Sequence, residues 1–157
     1  MAAQNLDLID DIRAASRLMV RELGFMEATV AATDYPPSAV HTILEIGIRG
    51  PMTSGQIALF LHLEKSSVSR LVRKLIESGE LREMSDAEDG RIKPLALTAK
   101  GQRTLSALHD FGRRQVSGAL DQLSEAERRI VRDGLMLYAR ALKADRASAL
   151  QEEKLIA

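Results

Sequence analysis

The side chains best placed to do chemistry lie in residues 65–74, where the pattern predicts a helix. Apolar residues in and just after this segment recur at i, i+3, i+4, i+7 and i+8, the spacing of one buried stripe. The stripe consists of Val68, Leu71, Val72, Leu75 and Ile76. The other positions form a face with four cations and no carboxylate. This basic face consists of Lys65, Ser66, Ser67, Ser69, Arg70, Arg73 and Lys74.

Two interpretations fit the basic face. Small hydroxyl side chains allow a helix to approach a groove of DNA closely, and arginine and lysine can reach phosphates or base edges. The alternative is the solvated side of an ordinary amphipathic helix, because charged residues usually occupy the exposed face of a helix. The segment alone favours neither interpretation, so the flanking elements carry the decision.

The residues before the basic face predict a helix-turn-helix unit. Residues 53–56 form a capping box, with Thr53 or Ser54 as the cap of a short helix. That helix is expected to bury Ile57, Ala58 and Leu61. Residues 62–64 then make a tight connection into the next helix, and two helices joined by a turn of this length form a helix-turn-helix.

The residues after the basic face predict a β-hairpin with strands at 81–84 and 92–97. The Asp89-Gly90 pair between them suits a tight turn, and Pro94 implies an edge position for the returning strand. A hairpin directly after a DNA-reading helix is a wing. Arg91 at its tip, with Lys93 behind it, suits insertion into a narrow and electronegative minor groove.

Long helices are expected on both sides of this region. Residues 5–33 carry two apolar stripes, for which a dimer seam is at least as good an explanation as packing inside a monomer. A second helix is predicted over 37–48, and another from Thr98 to about residue 120 or 123. The last helix follows the capping box at 124–127, the sequence becomes polar from Lys143 onward, and the helix is expected to fray near its end. Its expected buried residues are Ile130, Val131, Leu135, Leu137, Tyr138 and Leu142.

Composition excludes several classes of function. The 157 residues fit one domain, and 22 basic against 22 acidic residues leave no net charge, which argues against a protein whose whole surface binds nucleic acid. The absence of cysteine excludes disulfides, thiol nucleophiles and thiolate zinc sites. No cofactor or metal site is expected, because the three histidines, His41, His62 and His109, are not spaced as a ligand pair. We predict a cytoplasmic protein that is not an enzyme, since neither a signal peptide nor a phosphate loop or nucleophile motif is evident.

Two motifs together resemble a known family. Residues 63–75 are similar to the recognition-helix segment of the MarR family of winged-helix regulators, and residues 86–91 followed by 97–101 resemble its wing and wing exit. The resemblance implies a mainly α fold with a small β-hairpin wing, in one domain spanning 1–157. Within it, 34–100 would be the winged helix-turn-helix lobe, and 5–33 and 101–150 the helices of a dimerisation layer.

The resemblance implies a sequence-specific regulator of transcription that binds double-stranded DNA as a homodimer on a palindromic operator. It would act as a repressor released by a small aromatic or anionic ligand. The major-groove contacts would be Ser66, Ser67, Ser69, Arg70 and Arg73, while Asp89 would orient Arg91 in the minor groove. The remaining predicted DNA contacts are Ser54, Lys65, Lys74 and Lys93. Glu88 departs from the arginine that many members carry, so the wing would bind DNA more weakly.

The resemblance also places a ligand cavity near the start of the second helix. Tyr35 and His41 are the predicted polar groups of this pocket, with Arg17 or Arg21 as partner of an anion. The alternative is a capped helix corner without a ligand. A second alternative concerns the whole protein, which could be a winged-helix module that binds protein and has lost specific DNA binding. Arg70, Arg73 and Arg91 argue against that alternative.

Overall fold

The computed structural model describes residues 2–26, 29, 31–84 and 93–156. Its elements in chain order are α1 (Ala2–Glu22), α2 (Pro37–Arg49), α3 (Ser54–Leu61), α4 (Lys65–Glu77), β1 (Leu81–Glu83), β2 (Leu95–Leu97), α5 (Ala99–Leu120) and α6 (Glu125–Ile156). The chain divides into two compact units, residues 1–112 and residues 113–157. The mainly α architecture with one antiparallel hairpin confirms the predicted fold class.

An apolar core joins α2, α3, α4 and the hairpin. α2 begins at Pro37, whose fixed φ suits the first helical position, and ends at Gly50 with φ 85°. α3 begins after Thr53, whose hydroxyl accepts a hydrogen bond from the N–H of Gln56, while the Gln56 side chain accepts one from Thr53. Each element contributes at least one side chain that is almost fully buried, namely Ile43, Ile57, Val68, Leu75, Leu81 and Leu95. The core therefore holds α4 in a fixed position.

The hairpin is narrow and is anchored on both sides of β2. β1 and β2 pair antiparallel over three residues each, with Leu81 opposite Leu97. On the other side of β2, Met52 forms a single bridge with Leu95 through backbone hydrogen bonds of 3.1 and 2.8 Å. The base of the predicted wing is thus tied to the segment between α2 and α3.

Both strands are shorter than predicted. Pro94 precedes β2 rather than lying within it, because proline has no N–H to donate to the ladder. Its carbonyl still accepts a hydrogen bond of 2.8 Å from the N–H of Met84. The predicted turn, with Asp89 and Arg91, lies outside the described residues.

α1 ends at Glu22, well before the predicted boundary at Thr33. The N–H of Phe25 donates to the carbonyl of Val20 at 3.1 Å, and Gly24 takes φ 77°. These features form a Schellman cap, which closes a helix where glycine can adopt the left-handed conformation. The prediction was wrong because it followed the apolar spacing past Gly24.

α6 departs from the prediction in two ways. It begins with the predicted capping box, in which the N–H of Ser124 donates to the carboxylate of Glu127 at 2.8 Å. It then continues through the polar residues after Lys143 to Ile156, whereas the helix was expected to fray near its end. The six apolar residues expected to be buried are also exposed in the single chain, from 39% for Val131 to 69% for Ile130. Apolar periodicity predicts which side of a helix is apolar, but it does not predict whether the same chain or a partner chain covers that side.

Candidate nucleic-acid interface

The basic face lies on the exposed side of α4. Val68, Val72 and Leu75 are buried in the core, so the opposite side of the helix is turned to solvent. Ser67 is half-buried at the edge of the face. The other six members of the basic face are exposed, namely Lys65, Ser66, Ser69, Arg70, Arg73 and Lys74. A rigid core thus presents these side chains together on one surface.

The cations of the basic face are available to an anionic partner. Within the described part of the chain, Lys65, Arg70, Arg73 and Lys74 form no ion pair. The hydroxyl of Ser69 donates to the carbonyl of Lys65 at 2.9 Å, so its oxygen remains free to accept a hydrogen bond. Unpaired cations on an exposed helix are the groups that can displace counterions from phosphates.

The turn before α4 is short and partly strained. His62 caps α3 in the left-handed conformation, with φ 53° and ψ 43°. Thr53, rather than Ser54, supplies the side-chain cap of α3, which leaves the half-buried hydroxyl of Ser54 without that role. Ser54 and the basic face belong to two successive helices of the helix-turn-helix, as predicted.

Lys93, a predicted DNA contact, is paired with a carboxylate at the base of the hairpin. Its Nζ donates to an oxygen of Glu83 at 2.8 Å. This hydrogen bond, with the negative charge of Glu83, raises the pKa of Lys93. A phosphate must therefore compete with Glu83 for this cation. The other wing residues of the prediction, Asp89 and Arg91, lie outside the described residues.

The residues predicted to line a ligand pocket make other contacts. The hydroxyl of Tyr35 donates to a carboxylate oxygen of Glu80 at 2.8 Å. His41 stacks on Phe25 with ring centroids 6.0 Å apart and planes within 9°. Arg17 and Arg21 are exposed on α1, and among the described residues neither shares a hydrogen bond with Tyr35 or His41.

Sequence reasoning missed Glu80, which is 1% exposed. A charged residue just after a helix-ending glycine is usually solvated, so the local pattern gave no reason to bury it. Its carbonyl also meets the N-terminus of α5, because it accepts from the N–H of Thr98 at 3.0 Å. The signal in the sequence was the wing-exit motif at 97–101, whose Thr98 makes this contact.

Other kinds of site find no support among the described residues. No group of three histidine, aspartate or glutamate side chains there could hold a metal ion. None of the helices in that part of the chain is long and apolar enough to cross a membrane.

Comparisons with known proteins agree with this geometry. Residues 33–92 match the model of the MarR family. No curated protein sequence matches the chain. RV1404 from Mycobacterium tuberculosis is 22% identical and has a TM-score of 0.71, over 87% of this chain and 92% of that one. Streptococcus pneumoniae FabT in complex with DNA is 22% identical with a TM-score of 0.68, over 90% and 97%. MepR, a transcription regulator of the Staphylococcus aureus multidrug efflux pump MepA, is 22% identical with a TM-score of 0.66, over 83% and 95%.

At these identities the structural likenesses establish the shared fold. The family match covers α2, α3, α4 and β1, the elements that position the basic face. Taken with the order of the elements, the matches show that residues 33–92 resemble the MarR family and that this chain has the winged-helix fold of the matched regulators.

Proposed function

We propose that this protein regulates transcription by binding double-stranded DNA in a sequence-specific manner as a homodimer in the cytoplasm. The observation that carries the proposal is the basic face, whose four cations are unpaired among the described residues and project from a helix fixed by the core. The activity is binding rather than catalysis. FabT, whose fold this chain shares, was solved in complex with DNA.

The basic face would enter the major groove. Only that groove presents a distinct pattern of donors and acceptors for each base pair, so sequence choice belongs to α4. One of Arg70 and Arg73 would pair with a base edge while the other holds a phosphate, and Ser66, Ser67 and Ser69 permit the close approach. Lys65, Lys74 and Ser54 would add contacts to the backbone of the duplex.

The wing would contact the minor groove. Arg91, oriented by Asp89, would be attracted by the negative potential of a narrow groove rather than by base sequence. Lys93 would add a phosphate contact only after leaving Glu83, its partner at 2.8 Å in the free chain. Binding of DNA by the wing therefore breaks an ion pair, which lowers the affinity of the wing for DNA. Glu88 would lower that affinity further, because it places a negative charge where many family members carry an arginine.

A homodimer would cover the apolar stripes of α1 and α6. Met19 is 42% exposed and Leu137 is 65% exposed in the single chain, and exposed apolar patches of this kind mark interaction surfaces. A two-fold dimer presents two copies of α4, which matches a palindromic operator whose half-sites lie about 34 Å apart. Dimerisation and DNA binding would then depend on each other.

Repression relieved by a small aromatic or anionic ligand completes the proposal. Tyr35 and His41 lie at the start of α2, and Arg17 or Arg21 would pair with an anion. A ligand acts by favouring the dimer geometry in which the two α4 helices no longer fit one helical turn. Thermal shift against a panel of aromatic carboxylic acids tests this part. No stabilisation by any acid, and no change in DNA affinity, would argue against a pocket there.

The experiment for the main proposal is selection of bound fragments from sheared genomic DNA, followed by mobility shift at low salt. We expect a small set of enriched fragments that share a palindromic sequence. Binding of all fragments alike would remove sequence specificity from the proposal. No binding at any salt concentration would leave the winged-helix protein-interaction module as the better interpretation.

A further inference from the structure

The end of α4, the start of β1 and the start of α5 meet at one hydrogen-bonded corner. Three successive carbonyls accept hydrogen bonds from Thr98, which directly precedes α5, and from Lys100 in its first turn. The carbonyl of Ser78 accepts from Nζ of Lys100 at 2.6 Å, and that of Gly79 from the hydroxyl of Thr98 at 2.5 Å. The carbonyl of Glu80 accepts from the N–H of Thr98 at 3.0 Å. The backbone leading into β1 is therefore fixed against α5.

The side chain of Glu80 adds a fourth segment to this corner. One carboxylate oxygen accepts from the hydroxyl of Tyr35 at 2.8 Å and lies 3.3 Å from Nζ of Lys100. The other oxygen is buried and has no hydrogen-bond partner among the described residues. A buried carboxylate is costly unless it is paired and hydrogen-bonded, so the contact with Tyr35 largely determines whether Glu80 stays inside.

We propose that Glu80 is a positioning residue for DNA binding, which acts with the Tyr35 hydroxyl to hold the root of the wing hairpin in place. Tyr35 precedes α2 by two residues, and Glu80 directly precedes β1. The Tyr35–Glu80 bond thus joins the entry of α2 to the base of the hairpin. This proposal rests on the proposed function, since it assigns a residue that supports the DNA-binding surface.

Loss of this bond would displace the hairpin rather than unfold the lobe. Without the Tyr35 hydroxyl, the Glu80 carboxylate retains only its ion pair with Lys100, whose side chain is half-exposed. The carboxylate is then better stabilised by water than by the protein interior. Movement of Glu80 toward water carries Leu81 with it. β1 pairs with β2 over only three residues, so a small shift at its root changes the position of the hairpin relative to α4. Two elements that bind one duplex must keep a fixed relative position.

The test compares Tyr35→Phe with a matched loss of another hydroxyl. Thr42→Val removes a buried hydroxyl whose hydrogen bond, to the carbonyl of Ser38, stays within α2. DNA affinity is measured by fluorescence anisotropy on a duplex from the selected pool, at a temperature where circular dichroism shows each variant to be folded. We expect Tyr35→Phe to weaken binding about tenfold, equivalent to about 1.4 kcal/mol, and Thr42→Val to leave it unchanged.

A double-mutant cycle separates positioning from general stability. In a Glu80→Ala background, Tyr35→Phe should cause no further loss of DNA affinity, because the hydroxyl has no carboxylate to hold. Glu80→Gln keeps an acceptor oxygen and should retain more affinity than Glu80→Ala. Glu45→Gln alters the other carboxylate that is buried among the described residues, which pairs with Arg49 on α2, and should not affect DNA binding.

The outcomes are distinct. A folded Tyr35→Phe variant with wild-type affinity overturns the positioning role even if Glu80→Ala fails to fold. An equal effect of Tyr35→Phe with and without the Glu80 carboxylate overturns it as well. A wild-type protein that binds no duplex removes the proposed function and this role together, whereas wild-type binding with an unaffected Tyr35→Phe removes this role alone.

Discussion

Replacing Gly101 with alanine should destabilise the first unit, because the N-terminus of α5 packs directly on the backbone of Glu80. A Cβ at position 101 would overlap the carbonyl oxygen of Glu80 and lie 3.1 Å from a side-chain carbon of Leu97. The overlapped atom belongs to backbone that already accepts a hydrogen bond from Thr98, so it cannot move without breaking that bond. The substitution therefore tests whether the corner that supports the hairpin is as closely packed as the structure shows.

The expected magnitude follows from three effects. Overpacking costs about 1–3 kcal/mol, and loss of the hydrogen bond between Glu80 and Thr98 costs about 1 kcal/mol more. Alanine offsets about 1 kcal/mol of this loss in unfolding free energy, because it favours the helix more than glycine does. The net loss is about 1–3 kcal/mol, which lowers the melting temperature of a domain of this size by roughly 5–15 °C.

Urea denaturation followed by circular dichroism measures the loss, with Gly55→Ala as the control. Gly55 also lies in the first turn of a helix, but a Cβ there would meet only the Thr53 hydroxyl, at 3.8 Å. Gly55→Ala should leave stability unchanged or raise it by up to about 1 kcal/mol. A Gly101→Ala protein as stable as the Gly55→Ala protein would refute the close approach of α5 to Glu80.

Three further predictions concern the dimer, the turn and the cap of α6. Met19→Glu or Leu137→Glu should dissociate the dimer and lower its melting temperature together, and a well-folded wild-type monomer at micromolar concentration by sedimentation would contradict the dimer. His62→Gly should raise stability to urea by about 0.5–1 kcal/mol, because glycine takes the left-handed conformation without the clash that an L side chain meets. Hydrogen bonds from Ser124 lower the pKa of Glu127, so this carboxylate contributes stability above its unfolded pKa and loses it as the pH falls through the folded value. In Ser124→Ala the pKa of Glu127 by NMR titration should rise toward its ordinary value, and an unchanged pKa would show that the cap has no effect on it.

Local patterns predicted the lobe well because its signals are local. The apolar stripe that includes Val68, Val72 and Leu75 fixed which side of α4 is buried, and therefore which side carries the basic face. The capping box at 53–56 located the start of α3 to within one residue, with Thr53 as the cap in the structure. Helix periodicity and capping depend on residues three or four apart, so both can be predicted from short stretches of a single sequence.

Contacts between distant residues were not predictable in this way. Tyr35 and Glu80 are 45 residues apart, and Glu83 and Lys93 are ten apart across the hairpin. In the first pair the hydroxyl of a predicted pocket residue donates to a carboxylate, and in the second a predicted DNA contact forms an ion pair in the free chain. Burial of a charge depends on partners that tertiary structure supplies, which is why neither pair has a signature in the local pattern.

The end of α1 shows a different kind of error. Gly24 carried a correct stop signal, but the apolar spacing through Leu23 and Met26 suggested a longer helix. The exposed stripe of α6, with Ile130 as its most exposed member, is a surface that a partner chain would cover in our proposal. Periodicity thus predicted the helices and their apolar sides, but it predicted neither the cap that ends α1 nor the chain that covers the stripe of α6.

The central claim, that the basic face of α4 binds DNA, is tested most directly by binding isotherms on an operator duplex and a random duplex over several salt concentrations. The variants are Arg70→Ala, Arg73→Ala and Arg146→Ala, the last an equal charge change at an exposed position of α6. We expect at least one α4 variant to lose more affinity for the operator than for random DNA, by about 1–3 kcal/mol. The variant that loses a phosphate contact should lower the salt slope by about one unit, whereas Arg146→Ala should change neither quantity. Affinities and salt slopes that are the same for wild type and all three variants would contradict the claim.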